Sequence, residues 1–565
     1  MRRSIISVPS IFTDGDARPS WPVIACLAAL IFTFAFRCCR THRVFNDTAD
    51  EAVHIACGLE VIEKHQYTLE PQHPPLGRVL LAVPAHLAGL RSKPHAPLWR
   101  GESSEFYWRT LSMARVGTLF WAPFLILYIY RWARQLYGRA AGIGAAALAA
   151  FSPNLMAHAS LATLDFGAAA SIFISLYYFW RWSQRPGAGP CLAAALAFAI
   201  AVLVKFSALA LIPPVALAFF LIGRWSKIAS ILGESRSGRL WKSLQAGLGR
   251  WALFLITTAL IVWGGYGFDV GPLGRPAFRP AMGAMAHALE HKAEIVAGRR
   301  ALPAPRFWRG ILDVAGHNAE GHPCYLLGRV SLFGWWYYFP VALAVKTTIP
   351  LLLMVSLSTA ACLAAFRSGG YRRAVYPLAA AIIILVICMK SSLNLGIRHI
   401  LPIYPFFALL AAGLFADRSF RRPRLGKALA GIGIALAGWH SAESLLASPD
   451  YLAYFNQAAR GREEKFLLDS NLDWGQDLER LRRFLAEKRI STIYLSYFGA
   501  ADPASRGIVG ARALPAGLRP SGWVAVSKNH IAGLALEHDY RWLTAYTPAA
   551  RIGKSILVYY FPSPP

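Results

Sequence analysis

The sequence contains few charged residues, and few of those are acidic. Only 16% of its 565 residues are charged, and 30 Asp and Glu stand against 59 Lys and Arg. Hydrophobic residues make up 55% of the chain. This composition fits a polytopic membrane protein better than a soluble one.

Sequence signatures of a metal or redox site are also missing. The eight cysteines include no CxxC pair, so neither a zinc ribbon nor a thioredoxin-type site is indicated. The histidines of the long external segment have no HExxH or similar spacing, so we interpret them as loop surface: His287, His291, His317 and His322. We therefore expect no metal and no cofactor.

The first apolar run, 21–36, has no small-residue cleavage site after it. Basic residues Arg37 and Arg40 follow directly, so this run is predicted to be a retained membrane span rather than a removed signal peptide. The net charge of +29 does not indicate nucleic acid. Many of the basic residues lie in short segments between apolar runs, where they orient helices against an anionic cytoplasmic leaflet.

The apolar runs predict about eleven transmembrane helices in a domain spanning 1–446, with a large first external loop at 37–110. The N-terminus is expected in the cytoplasm, in the inner (plasma) membrane of the cell. The predicted spans are 21–36, 111–130, 140–151, 160–180, two short spans within 191–222, 251–268, 336–366, 375–389, 401–415 and 428–446.

Residues 447–565 have mixed polarity and predict a small soluble α/β domain outside the cytoplasm. A helix is expected at 476–488 and strands at 491–498, 523–527 and 555–561. Within this domain the segment 469–477 spaces Asp as a calcium loop does, but its glycine comes one place late and no Glu closes it. The preferred interpretation is that Asp473 and Gln476 cap the following helix, with acceptor binding as an open alternative.

The first external loop holds the strongest candidate for a catalytic group. Apolar spacing after Asn46 predicts a short amphipathic helix with Asp47, Asp50 and His54 on one face. Glu51 lies three residues after Thr48, which is also the spacing of a capping box. Asp50 has no such structural role, although an ordinary solvated acid in a first helical turn remains the alternative.

A second helix is predicted at 76–90, after His73 and a pair of prolines. It is too short to be a clear span, so we expect it to lie on the membrane interface.

Three ionisable residues lie within or between apolar runs. Asp165 is at the outer end of the fourth span, where it either faces a polar cavity or is a first-turn acid near water. Lys205 falls between two short spans; at an outer turn it would meet an anion, with snorkelling as the alternative. Lys346 lies inside the eighth span, after an aromatic belt.

A lipid-anchored phosphate ester would use all of these groups together. Its phosphate prefers Lys and Arg, its isoprenoid tail needs an apolar groove, and the hydroxyl that attacks its sugar needs a base. Cations that stabilise the departing phosphate make a metal unnecessary.

Several motifs, taken in order, resemble glycosyltransferases of the GT-C fold. They are Asp50-Glu51 followed by His73–Leu76, Ser152–Asn154 with Asp165 downstream, and Leu393–His399. The branch they resemble contains the protein O-mannosyltransferases and the aminoarabinose transferases that modify lipid A. The tail is similar to bacterial phospholipid carrier-dependent members of that branch at 451–456, 469–478 and 552–556.

This resemblance implies an inverting transfer of a sugar from a polyprenyl-phosphate donor to an acceptor outside the cytoplasm. It implies that Asp50 is the general base and that Asp165 orients the acceptor or the loop, with Glu51 as a further catalytic candidate. The substrate-binding candidates are His54, His73, Lys205, Lys346, Arg398 and His399. The aminoarabinose branch has a lysine where His73 stands, so that pair of donor and acceptor is not implied.

Two other classes remain open on the sequence. A secondary transporter would have a similar number of spans, but the two halves of this chain have no internal hydropathy symmetry. A non-catalytic membrane subunit that binds glycans would tolerate replacement of Asp50 and Asp165. The sequence does not select among a protein, a lipid or a glycan as the acceptor.

Overall fold

The computed structural model describes residues 19–93, 97–231, 237–273, 301–366, 374–416, 423–534 and 540–564. Helices dominate these residues, and the strands form two short two-stranded sheets and one C-terminal sheet. The predicted fold class, an α-helical polytopic protein with a small C-terminal α/β part, is confirmed. His287 and His291 lie outside the described residues.

The first half of the chain folds into a series of helices. Within the described ranges they are α1 Trp21–Cys39, α2 Glu51–Lys64, α3 Pro75–Leu87, α4 Ser104–Leu119, α5 Trp121–Tyr137, α6 Arg139–Ala150, α7 Pro153–Ala159, α8 Asp165–Gln184, α9 Ala188–Val204, α10 Ser207–Ile231 and α11 Ser237–Gly265. Prolines open several of them, as Pro75 does in α3 and Pro153 in α7. A proline at a first helical position removes a backbone N–H that would have no partner.

The second half contains shorter helices and the strands. Its helices are α12 Pro305–Glu320, α13 Tyr338–Lys346, α14 Ile349–Phe366, α15 Val375–Cys388, α16 Ile403–Ala412, α17 Pro423–Leu446, α18 Leu478–Glu487 and α19 Lys528–Ile531. Turns of 3-10 helix lie at Ile397–Ile400, Gly413–Phe415, Glu463–Lys465, Asp469–Asn471 and Arg541–Ala545.

Three helices in the described ranges are long and apolar enough to cross a membrane: Trp21–Cys39, Ser104–Tyr137 and Gly247–Gly265. Two bent pairs would each make one more span. Five shorter apolar helices complete the set: Pro75–Leu87, Ala188–Val204, Ser207–Gly223, Val375–Cys388 and Ile403–Phe415. The count of about eleven spans therefore stays a prediction.

The predicted continuous span 336–366 is wrong, because α13 and α14 meet at an angle of 113°. Pro350 is the second residue of α14 and has no N–H to donate to the carbonyl of Lys346. That carbonyl accepts from Nδ2 of Asn154 at 2.7 Å instead. The carbonyl of Thr347 accepts from Nδ2 of Asn456 at 2.8 Å, so the bend is satisfied by distant side chains.

The break predicted near residue 152 is confirmed. Helices α6 and α7 meet at an angle of 58°, with Pro153 opening the second helix. The predicted pair of short spans within 191–222 is also present, as α9 and α10. Lys205 lies between them in extended backbone.

The C-terminal sheet has five strands in the order β6-β5-β7-β9-β8. Its strands are β5 Ile493–Ser496, β6 Ala511–Ala513, β7 Gly522–Ser527, β8 Ala550–Ile552 and β9 Ile556–Phe561. Strand β5 runs parallel to β6 and β7, whereas β9 is antiparallel to β7 and β8. Two antiparallel strand pairs precede it in the chain: β1 Val270–Gly271 with β2 Leu302–Pro303, and β3 Cys324–Leu326 with β4 Arg329–Ser331.

Residues that follow position 447 pack into the same core as the membrane helices. Tyr451, Leu452 and Phe455 are buried in the cluster that also contains Trp132 from α5 and Phe166 from α8. The boundary predicted at 446/447 as the edge of a separate domain stays a prediction.

The predicted capping of α18 by Asp473 and Gln476 is wrong. The helix begins at Leu478, and Oδ1 of Asn46 accepts from the backbone N–H of Leu478 at 2.8 Å. Asp473 and Gln476 instead accept from backbone N–H groups within their own loop. Gly475 lies between them with φ +80°, so this stretch forms a turn before the helix starts.

Candidate active site

Asp50 and Arg398 form an ion pair that joins the segment between α1 and α2 to the turn before α16. Nη1 of Arg398 donates to Oδ2 of Asp50 at 2.7 Å. The Asp50 side chain is 38% exposed and that of Arg398 is 12% exposed. One carboxylate and one guanidinium therefore face a space that solvent or a ligand can enter.

Local backbone structure places each partner. Asp50 is the residue before α2, and its side chain makes no cap hydrogen bond, so the carboxylate is available to Arg398. Arg398 lies in the 3-10 turn Ile397–Ile400, which follows Gly396 at φ +141°. A Cβ on Gly396 would lie 2.5 Å from Oγ of Ser470, so this approach of two loops favours glycine.

The predicted face that groups Asp47 with Asp50 and His54 is wrong. The helix begins at Glu51, after Asp47, and Asp47 is buried. The hydroxyl of Tyr107 donates to Oδ1 of Asp47 at 2.5 Å, which holds this carboxylate against α4.

Glu51 lies in a different environment from its neighbour Asp50. Nε and Nη2 of Arg115 donate to its two carboxylate oxygens at 2.8 Å each, and both side chains are fully enclosed. The backbone N–H groups of Thr48 and Ala162 donate to the same carboxylate, at 2.8 and 2.7 Å. The contact with Thr48 is the one expected from capping-box spacing.

Asp165 and Lys205 form a second ion pair close to the first. Nζ of Lys205 lies 2.5 Å from Oδ1 of Asp165, the first residue of α8. The Asp165 side chain is 3% exposed and that of Lys205 is 19% exposed. Lys205 therefore presents a partly accessible ammonium whose counter-ion is buried behind it.

His73 lies where the two ion pairs converge. The charges of Lys205, Asp50, Asp165 and Arg398 all act on its imidazole. Loss of water around the ring, and then Lys205, lower the pKa of His73 to about 4. His73 is consequently neutral at pH 7, and its ring can donate or accept a hydrogen bond without adding charge.

His54 and Arg78 lie behind His73. Nε of Arg78 donates to Nδ1 of His54 at 3.3 Å, and the rings of His54 and His73 meet edge to face with centroids 5.2 Å apart. Burial, followed by the Arg78 charge, holds the pKa of His54 well below its usual value. Arg78 also pairs with Glu70, so His54 forms part of the wall of the site.

His399 and Lys346 differ in their placement. His399 follows Arg398, and burial and the Arg398 and Lys205 charges lower the pKa of His399, so it lies beside the cluster. Lys346 is fully buried, and its Nζ donates to the carbonyls of Leu452 and Asn471 at 2.7 Å each. The structure does not bring Lys346 to the Asp50–Arg398 pair.

Sequence reasoning missed Trp474, His158 and the enclosed Arg115. The guanidinium carbon of Arg398 lies 4.4 Å from the ring centroid of Trp474. His158 packs edge to face on Trp474 with centroids 6.3 Å apart. The sequence could have marked Arg115 as a paired charge, because a charged residue within an apolar run usually has a buried partner.

The prediction that His322 lies on a loop surface leaves out its contact with His317 and its proximity to the charged pair. Its Nδ1 lies 3.2 Å from Nε2 of His317, and the charges of Arg398 and Asp50 both act on it. Burial and the neighbouring His317 lower the pKa of His322 to about 4. The described residues contain no group of three or more His, Cys, Asp or Glu placed to hold a metal ion. A reaction without metal stays a prediction.

This arrangement can bind an anion and accept a proton. Arg398 and Lys205 are partly exposed cations in neighbouring ion pairs, and two such cations suit a phosphate. Asp50 is the accessible carboxylate of the group. An anion that binds Arg398 would compete with Asp50 for the guanidinium and leave the carboxylate free as a base.

One part of this chain matches a family model. Residues 110–233 match the family described as dolichyl-phosphate-mannose-protein mannosyltransferase. Over these residues the chain is similar to that family. The match covers the part of α4 from residue 110 and all of α5 to α10, including Asp165 and Lys205, and it confirms the predicted resemblance to GT-C fold glycosyltransferases. A search of curated proteins gives no match.

Two solved structures overlap most of the chain. ArnT from Cupriavidus metallidurans bound to undecaprenyl phosphate is 16% identical, with a TM-score of 0.46, covering 95% of this chain and 97% of that one. The oligosaccharyltransferase AglB from Archaeoglobus fulgidus, in complex with an inhibitory peptide and a dolichol-phosphate, is 12% identical. Its TM-score is 0.49, and the overlap covers 94% of this chain and 72% of AglB.

Proposed function

We propose that this protein is an integral membrane glycosyltransferase that moves a sugar from a polyprenyl-phosphate donor to an acceptor outside the cytoplasm. The observation that carries the proposal is the 2.7 Å pair of a half-exposed Asp50 with Arg398, beside a partly exposed Lys205. A general base and two phosphate-binding cations are the groups that this reaction needs. The family match over residues 110–233 adds support for a glycosyltransferase.

Donor binding is the first step of the proposed mechanism. The donor phosphate takes hydrogen bonds from Arg398 and Lys205, and it displaces the Asp50 carboxylate from Arg398. His73, whose ring senses the charges of both cations, is neutral at pH 7 and can donate one hydrogen bond to the phosphate. The isoprenoid tail lies along apolar helix surface at the membrane.

Transfer then proceeds in one displacement. Asp50 takes the proton of an acceptor hydroxyl while that oxygen attacks the anomeric carbon from the side opposite the phosphate. The bond between the anomeric carbon and the phosphate oxygen breaks, and polyprenyl phosphate leaves with its negative charge held by Arg398 and Lys205. A single displacement inverts the anomeric configuration.

The two remaining acids support these groups. Asp165 orients the Lys205 ammonium, so its part is to hold a cation for the phosphate. Glu51 fixes the start of α2 through Arg115 and thereby the backbone that carries Asp50.

The proposed setting is the inner membrane, with the N-terminus in the cytoplasm and the site and C-terminal residues outside. Neither a hexose nor a pentose is selected as the sugar, and a protein, a lipid or a glycan is equally compatible as the acceptor. His73 stands where the aminoarabinose branch has lysine, so an amino sugar is not the favoured donor.

The test is transfer in membranes supplied with labelled polyprenyl-phosphate sugars. Asp50→Asn should lower the transfer rate by about 10²- to 10⁴-fold, the usual range for losing a general base. Glu105→Gln is the matched control, because Glu105 is an exposed acid in the first turn of α4. Near-normal transfer by Asp50→Asn removes Asp50 from this role. Sugar uptake into vesicles without a covalent product contradicts the enzyme and favours a transporter.

A further inference from the structure

The loop 469–477, which follows the membrane helices in sequence, contacts the chain beside Asp50. The backbone N–H of Ala49 donates to the carbonyl of Trp474 at 3.1 Å. Nδ2 of Asn46 donates to the carbonyl of Gly475 at 2.7 Å. Because Ala49 immediately precedes Asp50, these bonds fix the backbone from which Asp50 projects.

The same loop contacts the chain at Arg398. The backbone N–H of Ile397 donates to Oδ1 of Asn471 at 3.0 Å. The Arg398 guanidinium lies over the Trp474 ring, with its carbon 4.4 Å from the ring centroid. One loop therefore holds both partners of the Asp50–Arg398 pair.

The loop itself is held in place by buried contacts. Nζ of Lys346 donates to the carbonyl of Asn471 at 2.7 Å. Gly475 has φ +80°, and a Cβ there would lie 2.4 Å from the backbone carbonyl oxygen of Phe498. The loop can consequently serve as a fixed support for Arg398.

The indole face sets the orientation of Arg398. Trp474 is only 2% exposed, so its contact with the guanidinium is desolvated on the ring side. Nε of Arg398 is buried and has no hydrogen-bond partner among the described residues. The contacts that aim the guanidinium are thus the Asp50 carboxylate on one side and the Trp474 ring beneath.

We propose that the loop 469–477 is a built part of the reaction centre, and that Trp474 is a positioning residue that holds Arg398 toward the donor phosphate. When phosphate displaces Asp50, the ring keeps the guanidinium in place, so Arg398 remains aimed at the phosphate throughout transfer. This inference rests on the proposed function, because it assigns the role of Trp474 through Arg398.

The first experiment measures donor kinetics of full-length variants in membranes. Trp474→Leu should raise the apparent KM for polyprenyl-phosphate sugar by about 10-fold, the scale expected for a desolvated cation over an indole. Trp474→Phe keeps an aromatic face and should recover most of that loss. Trp523→Leu is the matched control, because Trp523 packs against Tyr560 within the C-terminal sheet.

The second experiment separates positioning from a general structural role. If Trp474 acts through Arg398, adding Trp474→Leu to Arg398→Gln should change the donor KM by less than about 2-fold. Equal fold-changes in both backgrounds overturn the inference. If Trp474→Leu does not accumulate in the membrane, Trp474→Met, which keeps an apolar side chain without an aromatic face, is measured in both backgrounds, and the same comparison decides.

The outcomes distinguish the two proposals. If the wild-type protein transfers no sugar from any polyprenyl-phosphate donor, the proposed function fails. If the wild type transfers sugar and Trp474→Leu does so with an unchanged donor KM, only the role of Trp474 is overturned.

Discussion

Arg115 donates two charge-assisted hydrogen bonds of 2.8 Å to the Glu51 carboxylate, and neither side chain is exposed. One residue earlier in the chain, Asp50 is 38% exposed and pairs with Arg398. Two adjacent acids therefore lie in different environments. The enclosed Glu51 carboxylate holds the start of α2, and the accessible Asp50 carboxylate can exchange Arg398 for another partner.

Glu51→Gln should lower the stability of the fold and not only the rate of sugar transfer. The change leaves the Arg115 charge enclosed without a counter-ion, which typically costs about 3 to 5 kcal/mol. Thermal unfolding in detergent should show a clear fall in Tm, with Glu105→Gln as the exposed control. An unchanged Tm together with lost transfer would instead place Glu51 in the chemistry.

Lys346→Met tests whether this lysine supports the fold or meets the donor. Methionine fills similar space but leaves the carbonyls of Leu452 and Asn471 without a donor, at about 1 to 3 kcal/mol each. We expect a lower Tm and less protein in the membrane, whereas Lys390→Met at an exposed position should change neither. A normal Tm with a raised donor KM would show that Lys346 binds phosphate.

The raised pKa of Asp473 predicts that the stability of the folded protein depends on pH. Burial raises the pKa of Asp473 from 3.8 to about 8, so the folded state binds a proton that the unfolded chain has released between these values. The contribution of Asp473 to stability therefore falls as the pH rises from about 4 to about 8. Asp473→Asn stays neutral throughout, so its Tm relative to wild type should rise between pH 5 and pH 8.

The control for this measurement is Asp502→Asn, at an exposed position of the same C-terminal part. Its Tm difference from wild type should stay constant over that range. A constant difference for Asp473→Asn as well would mean that Asp473 is already ionised in the folded protein.

Local signals in the sequence were enough to predict most helices and three of the five strands of the C-terminal sheet, whereas β6 and β8 were missed. Pro153 marks the break between α6 and α7, and apolar length marks α9 and α10 on either side of Lys205. Alternating residues at 523–527 and 555–561 correspond to β7 and β9. These features depend on short-range backbone preferences, which a single sequence carries.

Features set by distant partners were not predictable. The bend after Lys346 depends on Asn154, which lies 192 residues away in the chain. The start of α18 depends on Asn46, which is 432 residues from Leu478. Hydropathy and propensity describe neighbours in sequence, so they contain no record of such contacts.

The residues of the candidate site likewise fall into those that local sequence indicates and those that depend on distant contacts. Residue chemistry pointed to Asp50, Asp165 and Lys205, and the family resemblance added Arg398; the structure joins these four residues in two ion pairs. Lys346 looked similar in sequence, because a lysine in an apolar run can face either a ligand or a buried carbonyl. The segment 469–477 was noticed in the sequence, but Trp474 itself was not singled out, since its contact depends on which residue lies over its ring.

The bond from Asn46 to the carbonyl of Gly475 joins positions 429 residues apart. Asp50 is therefore synthesised long before the loop 469–477 that contacts its backbone. The chain enters the membrane before this contact can form, so the surroundings of Asp50 and Arg398 are complete only after residue 475 has been synthesised. A premature stop codon before residue 469 would therefore remove contacts of Asp50 and Arg398 even though both residues are still made.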